Sequence, residues 1–222
     1  MSSPPRIAVL ASGRGSNLAA LLAARERGEL PVEFVLVGSD KAAAGALRMA
    51  EAANIPTLAL DPRSYPDRRA FDIDLFARIT ASGAELLVLA GFMRILDGEA
   101  LTPWIGRMIN IHPSLLPKYR GLHTHRRALE AGDTEHGASV HFVTAELDGG
   151  PVIAQARVAI EPGDNEQLLA ERLLPLEHQL LPAVLGLLAT RRLRWDGQAP
   201  RFDDLPLLTP LVLGEQGLQT RE

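Results

Sequence analysis

Asn110, His112 and Asp148 have the side-chain chemistry for acyl transfer. In the run Asn110-Ile111-His112-Pro113-Ser114-Leu115-Leu116-Pro117, Asn110 and His112 alternate on an extended segment and so point to one face. An amide donor beside an imidazole can polarise a carbonyl and stabilise the oxyanion formed when a nucleophile attacks it. Asp148, in Leu147-Asp148-Gly149-Gly150-Pro151, would add a carboxylate. Beside His112 it would favour the imidazolium and let a proton move during attack and collapse. A strand-end Asn and His bonded to nearby backbone, and an Asp in a turn, are the plainer reading of the same residues.

A second run, Ser12-Gly13-Arg14-Gly15-Ser16-Asn17, lies between an apolar strand and a Leu/Ala-rich helix. Free backbone N–H groups and the helix dipole there favour an anion. A dinucleotide fingerprint would need glycine where Leu18 stands, and the Gly-Lys-Ser/Thr of a P-loop is absent, so a single phosphate is the expected ligand. The same residues also read as a tight turn capped by Ser16 or Asn17. Ser16 and Ser114 lack the Gly-x-Ser-x-Gly setting of a serine nucleophile, which favours direct transfer. His123 and His125 have no further partners at zinc-ligand spacing, so no metal is expected. His141 lies on a strand and could face the site of His112, whereas His136 and His178 read as surface or capping residues.

These groups need a scaffold. Apolar runs at 7–10, 32–37, 57–60, 86–90 and 108–111 read as strands, with helices at 17–26, 41–53 and 67–82 between them. Strands alternating with helices predict one α/β domain with an open, mostly parallel twisted sheet and helices on both faces. Ligands of such sheets sit at the carboxyl ends of the strands, where Asn110 and His112 fall. Residues 137–144 and 151–160, joined through Asp148-Gly149-Gly150, predict an antiparallel element. Asp164 is the expected cap of a helix to about 190 that Pro175 and Pro182 would kink or divide. A proline-containing tail from about 196 reads as loosely structured within a single domain of residues 1–222.

Composition narrows the function classes. The chain has 222 residues, 46% of them hydrophobic and 23% charged, which excludes disordered and fibrous classes. A net charge of −4 with scattered Lys and Arg argues against nucleic acid as a partner. The absence of cysteine excludes disulfides and thiolate chemistry. With no secretory leader pattern and no apolar stretch of membrane-spanning length, a soluble cytoplasmic protein is expected.

Four ordered runs, Ala-Ser-Gly-Arg-Gly-Ser-Asn-Leu at 11–18, Val-Leu-Ala-Gly-Phe-Met-Arg-Ile-Leu at 88–96, Ile-Asn-Ile-His-Pro-Ser-Leu-Leu-Pro at 109–117 and Leu-Asp-Gly-Gly-Pro-Val-Ile at 147–153, resemble the phosphoribosylglycinamide formyltransferase family. The resemblance implies a formyltransferase fold with a Rossmann-like N-terminal half and Asn110, His112 and Asp148 as the catalytic trio. It also implies that Gly15, Ser16 and Asn17 hold the phosphate of glycinamide ribonucleotide, with Glu177 near its amine. Arg68, Met93, Arg94, Ile95, Leu96 and Asn110 would hold the co-substrate 10-formyltetrahydrofolate. The partners would be these small molecules, with the protein a monomer or homodimer. Arg14 departs from the smaller polar residue of some relatives.

Methionyl-tRNA formyltransferase and formyltetrahydrofolate deformylase resemble the same site but normally carry a further domain, for which 222 residues would leave no room. A nucleotide-binding module without catalysis would have no use for Asn110, His112 and Asp148 together.

Overall fold

The computed structural model describes residues 3–220. Strand β1 (Arg6–Leu10) shows why the sheet is covered on both sides. Ile7 and Val9 enter one apolar core, while Ala8 and Leu10 enter the other. Successive side chains of a strand point to opposite faces, so an unbroken apolar run needs a layer on each. On the first face lie α1 (Ser16–Glu26), α2 (Gly45–Ala52) and α5 (Glu166–Ala189). On the second lies α3 (Arg68–Ala81), whose Phe71, Leu75, Phe76 and Ile79 recur at helical spacing and are buried.

The remaining strands of the amino-terminal half are β2 (Glu33–Ser39), β3 (Thr57–Ala59), β4 (Leu86–Leu89) and β5 (Met108–His112). They pair parallel in the order β5-β4-β1-β2-β3. Beyond β5, after the short α4 (Thr124–Glu130), the direction reverses. Strand β6 (Glu135–Phe142) runs antiparallel to β5, and β7 (Val152–Ala159) antiparallel to β6. The expected mixed, mostly parallel sheet with helices on both faces is the observed one, and the reversal falls beside His112.

Several local expectations are corrected. Helix α2 starts at Gly45, not at 41, because Lys41 and Ala44 close a turn first. Asn165, not Asp164, caps α5, its side chain accepting from the Leu168 N–H at 3.0 Å. Asp164 instead accepts from the Glu161 N–H and pairs with Arg172. Pro175 and Pro182 do not divide α5. Each removes one helix hydrogen bond, but buried Leu169, Leu173, Leu180, Leu181, Val184 and Leu188 hold the helix against the sheet.

The tail is also ordered, contrary to the loose segment expected from about 196. Strands β8 (Leu193–Trp195), β9 (Pro200–Phe202) and β10 (Leu205–Pro206) form a small antiparallel sheet. Strand β11 (Leu211–Gly214) joins β7 in parallel, and β12 (Gly217–Gln219) closes that edge of the main sheet. Trp195 meets Phe142 edge to face at 5.2 Å, and Leu211 is fully buried in the first core. Strands of two to four residues with prolines among them carry no readable periodicity, yet prolines are compatible with such short edge elements.

If the tail is part of the core, Leu211→Ala will lower stability by about 2–5 kcal/mol, the usual range for a buried Leu truncation. Urea unfolding followed by circular dichroism measures it, and a loss under about 0.5 kcal/mol would mean that the tail is merely attached.

Candidate active site

Alternation along β5 sends Ile109 and Ile111 into the first core and leaves Asn110 and His112 on the opposite face. Register with β6 sets His141 opposite Asn110 and Ser139 opposite His112. The turn between β6 and β7 then returns Asp148 to the same place. Its backbone is left-handed, φ 47°, a conformation that Asp tolerates better than most residues. Gly150 fits beneath because a Cβ there would lie 1.9 Å from the Phe142 carbonyl oxygen.

The three residues singled out in the sequence converge. Asp148 Oδ1 lies 3.5 Å from Asn110 Nδ2 and 3.6 Å from His141 Nε2, and its Oδ2 lies 3.5 Å from His112 Nδ1. The Gly121 N–H donates to Oδ2 at 2.9 Å. His141 Nδ1 donates to the Phe142 carbonyl at 2.8 Å, so in the neutral tautomer selected by that bond Nε2 accepts from Asn110 at 3.1 Å. This bond fixes the Asn110 amide plane. Its second N–H, spent only on the 3.5 Å contact with Asp148, is the donor that can turn to a substrate oxygen.

His112 Nε2 donates to the Tyr119 carbonyl at 2.9 Å, which leaves Nδ1 facing Asp148 as the position for a second proton. Burial is the main influence on this imidazole and holds its pKa below the ordinary value, against the opposing pull of the Tyr119 carbonyl and Asp148. Asp148 does favour the imidazolium, as expected, but desolvation outweighs it, so the net shift is downward. For Asp148 itself, burial pushes upward. His141, His112 and the Gly121 N–H together outweigh it and keep the carboxyl below its usual range.

These groups line a cleft of about 560 Å³ that also takes in Met93, Arg94, Ile95 and Leu96, the run that the family resemblance assigns to the folate. Ser12 Oγ accepts from the Met93 N–H at 2.9 Å, tying the glycine run to this wall. Arg94 stacks over Phe71 at 4.5 Å. Arg68, at the start of α3, is not among the lining residues.

The other predicted binding residues form a separate group. Gly15, at φ 85°, is the N-cap of α1, so neither Ser16 nor Asn17 caps it and the first N–H groups of the helix remain open. A Cβ on Gly15 would lie 2.9 Å from Ala46 Cα. Asn17 Nδ2 donates to Glu177 Oε2 at 3.0 Å, while Asn17 Oδ1 is buried without a partner among the described residues. Burial raises the Glu177 carboxyl pKa, partly offset by that amide.

Sequence reasoning missed the Tyr119 carbonyl and Gly121 N–H, backbone groups without a side-chain signal. It also misread His136, which is 1% exposed rather than a surface or capping residue. Its alternation with Ala138, Val140 and Phe142 on β6 was the available clue. His178 is half-buried, with Nε2 unpartnered among the described residues. No group of three or more His, Asp or Glu placed to hold a metal ion occurs among the described residues, and no helix there is long and apolar enough to cross a membrane.

A strand-end Asn and His with a buried Asp, beside an apolar cleft, are the groups that acyl transfer would need. The chain belongs to the formyl transferase family, whose model matches residues 5–185. The phosphoribosylglycinamide formyltransferase of Escherichia coli (strain K12) is 47% identical over 197 residues, covering 89% of this chain and 93% of that one. The trifunctional purine biosynthetic protein adenosine-3 of Homo sapiens is 42% identical over 185 residues, 83% of this chain but only 18% of that protein. A solved phosphoribosylglycinamide formyltransferase from Coxiella burnetii, in complex with CHES, superposes with a TM-score of 0.87 at 46% identity, covering 91% of this chain and 95% of that one.

His136 carries a stability prediction. Its Nε2 lies 3.0 Å from His125 Nδ1, and burial, with His125 second, lowers its pKa from 6.5 to about 4 despite nearby Asp133. Between those values the unfolded chain binds the extra proton, so the contribution is present above about pH 6.5 and is lost as pH falls. His136→Gln should make the fall in unfolding free energy from pH 7 to pH 5 shallower by about 2 kcal/mol. An unchanged urea-unfolding slope against pH would refute the assignment.

Proposed function

We infer that this enzyme transfers the formyl group of 10-formyltetrahydrofolate to the amine of 5′-phosphoribosylglycinamide, a step of purine synthesis that gives formylglycinamide ribonucleotide and tetrahydrofolate. The observation that carries the reading is the convergence of Asn110, His112 and Asp148 at the mouth of an apolar cleft. The 47% identity to a phosphoribosylglycinamide formyltransferase over nearly its whole length supports the particular substrates.

In the proposed mechanism the uncharged amine attacks the formyl carbon directly. A carbon–nitrogen bond forms and the carbonyl electrons move to oxygen. The free N–H of Asn110 meets that oxyanion. The proton shed by the attacking nitrogen passes, directly or through water, to Asp148 and on to His112 Nδ1. Imidazolium then forms when negative charge develops beside it, which repays its desolvation. Collapse breaks the bond to N10 of the folate, and the same proton goes to the leaving nitrogen. Two ring positions therefore have separate duties: Nε2 stays on Tyr119, and Nδ1 carries the moving proton.

Apolar Met93, Ile95 and Leu96, with Arg94, suit the flat pterin and benzoyl portions of the folate, and we keep Arg68 as a contact to its acidic end. The open N–H groups of Gly15, Ser16 and Asn17 suit the ribonucleotide phosphate, with Glu177 toward its glycinamide end. We take the chain as one formyltransferase domain, because β11 and β12 continue its sheet. It acts on small molecules alone, as a monomer or homodimer in the cytoplasm, where a cysteine-free chain is at no disadvantage.

Purified protein mixed with both substrates should yield formylated ribonucleotide by mass, and only in the complete mixture. Folate loss without the ribonucleotide would point to a hydrolytic deformylase instead. Asn110→Ala should lower kcat about a hundredfold to a thousandfold, the usual cost of one oxyanion donor. Turnover within about threefold of the parent would remove Asn110 from that role. Gly15→Ala forces a side chain into a left-handed position against Ala46. It should raise KM for the ribonucleotide at least about tenfold while kcat changes little, as expected where binding energy is shared by ground and transition states. A large fall in kcat at unchanged KM would contradict the phosphate assignment.

A further inference from the structure

The loop 113–121 supplies two backbone groups to the site, the Tyr119 carbonyl on His112 Nε2 and the Gly121 N–H on Asp148 Oδ2. Tyr119 holds φ 57°, a left-handed conformation that a tyrosine adopts only when its surroundings impose it. Something must fix this loop. The Tyr119 hydroxyl donates to Asp133 and Lys118 pairs with the same carboxylate, but both contacts lie on the outer side.

On the inner side lies a closed polar cluster. Strand register sets His112, Ser139 and Gln155 in one row across β5, β6 and β7, so the three side chains share a face. Ser139 is fully buried and Gln155 is 7% exposed. The Leu116 N–H donates to Ser139 Oγ at 3.0 Å, and Ser139 Oγ donates to the Ser114 carbonyl at 2.7 Å. Gln155 Nε2 donates to the Leu116 carbonyl at 2.9 Å and to Ser139 Oγ at 3.0 Å. Ser114 Oγ carries the chain onward by donating to the Lys118 carbonyl at 2.6 Å.

The hydroxyl of Ser139 thus uses its one donor and both acceptor positions, and the Gln155 amide spends both N–H donors. An apolar pair here would cost the core less, because buried polar groups must all be matched. A pair whose donors are all matched, aimed at the backbone of one loop residue, instead fixes a single loop position.

We propose that Ser139 and Gln155 are positioning residues for the formyl transfer: they clamp Leu116 so that Tyr119 and Gly121 reach His112 and Asp148. The inference rests on the roles proposed above for that pair. It makes His112 sensitive to a change two strands away. Around His112 stand Asp148 on the turn, His141 and His136 on β6, and Arg127 and His125 on α4. None of these is altered by a change at Gln155. The Tyr119 carbonyl favours the charged imidazole, so its retreat moves the His112 titration to lower pH.

Gln155→Met keeps length and volume while removing both N–H donors, and Ser139→Ala removes the hydroxyl. Each is compared with the parent for kcat, for KM of the ribonucleotide, and for ring titration of His112 by ¹⁵N NMR, assigned from the signal missing in His112→Asn. The expected result is a kcat lowered at least about tenfold, KM within about twofold, and a His112 titration shifted downward. A fall in kcat with the titration unmoved would mean that the pair only supports the fold, and parental kcat would likewise overturn the clamp. Should neither variant fold, the parent still decides: a neutral His112 carrying its proton on Nδ1 rather than Nε2 refutes the proposal. If His112→Asn itself keeps parental turnover, the catalytic reading falls and the clamp falls with it. If His112→Asn is inactive and Gln155→Met is parental, only the clamp is lost.

Discussion

A carboxylate taken out of water must be met by hydrogen bonds or by charge, and Asp148, with its side chain 10% exposed, imposes that requirement on three parts of the chain. Strand β5 brings Asn110 and His112, β6 brings His141, and the loop 113–121 brings the Gly121 N–H. No single contact is short enough to hold the group alone apart from that N–H. Their sum outweighs burial and keeps the acid ionised. The antiparallel reversal at β6 is what makes this possible, because a parallel neighbour would need a crossover helix where the Asp148 turn now lies.

The same need explains the division of labour at His112. Buried beside a carboxylate, its imidazole lies below its ordinary pKa, so the ring is charged only while something else supplies a reason. A developing oxyanion is such a reason. In the proposed reaction the site would hold a charged Asp148 beside an uncharged ring at rest and gain the imidazolium only as the oxyanion develops, which is the sense in which binding would differ between ground and transition states.

Much of the scaffold could be read from residues alone. The apolar runs of β1 and β4 have to be covered on both faces, and the turn glycines before β7 require a reversal. Asn110, His112 and Asp148 were visible because side-chain chemistry at strand ends and turns is visible. The groups that hold them were not. The Tyr119 carbonyl and Gly121 N–H belong to every residue's backbone, and only the folded loop gives them a purpose. The tail failed for a different reason: β9 and β10 are too short for alternation to register, and their order comes from Leu211 and Trp195 meeting a core laid down by distant strands.

In the proposed reaction, substrate binding would divide along the sheet. The α1 terminus and Glu177 lie on the side of the first core, while the apolar cleft opens on the side that Asn110 and His112 face. Ser12 joins the two, its hydroxyl accepting from Met93 across the carboxyl ends of β1 and β4. On the proposed reading, a ribonucleotide anchored by its phosphate on one side and a folate held flat on the other would meet at the strand ends. Proximity of this kind removes much of the entropy cost of a two-substrate reaction before any proton moves. That ordering would leave the proposed trio a narrow task, which is to stabilise one oxyanion and route one proton between two nitrogens.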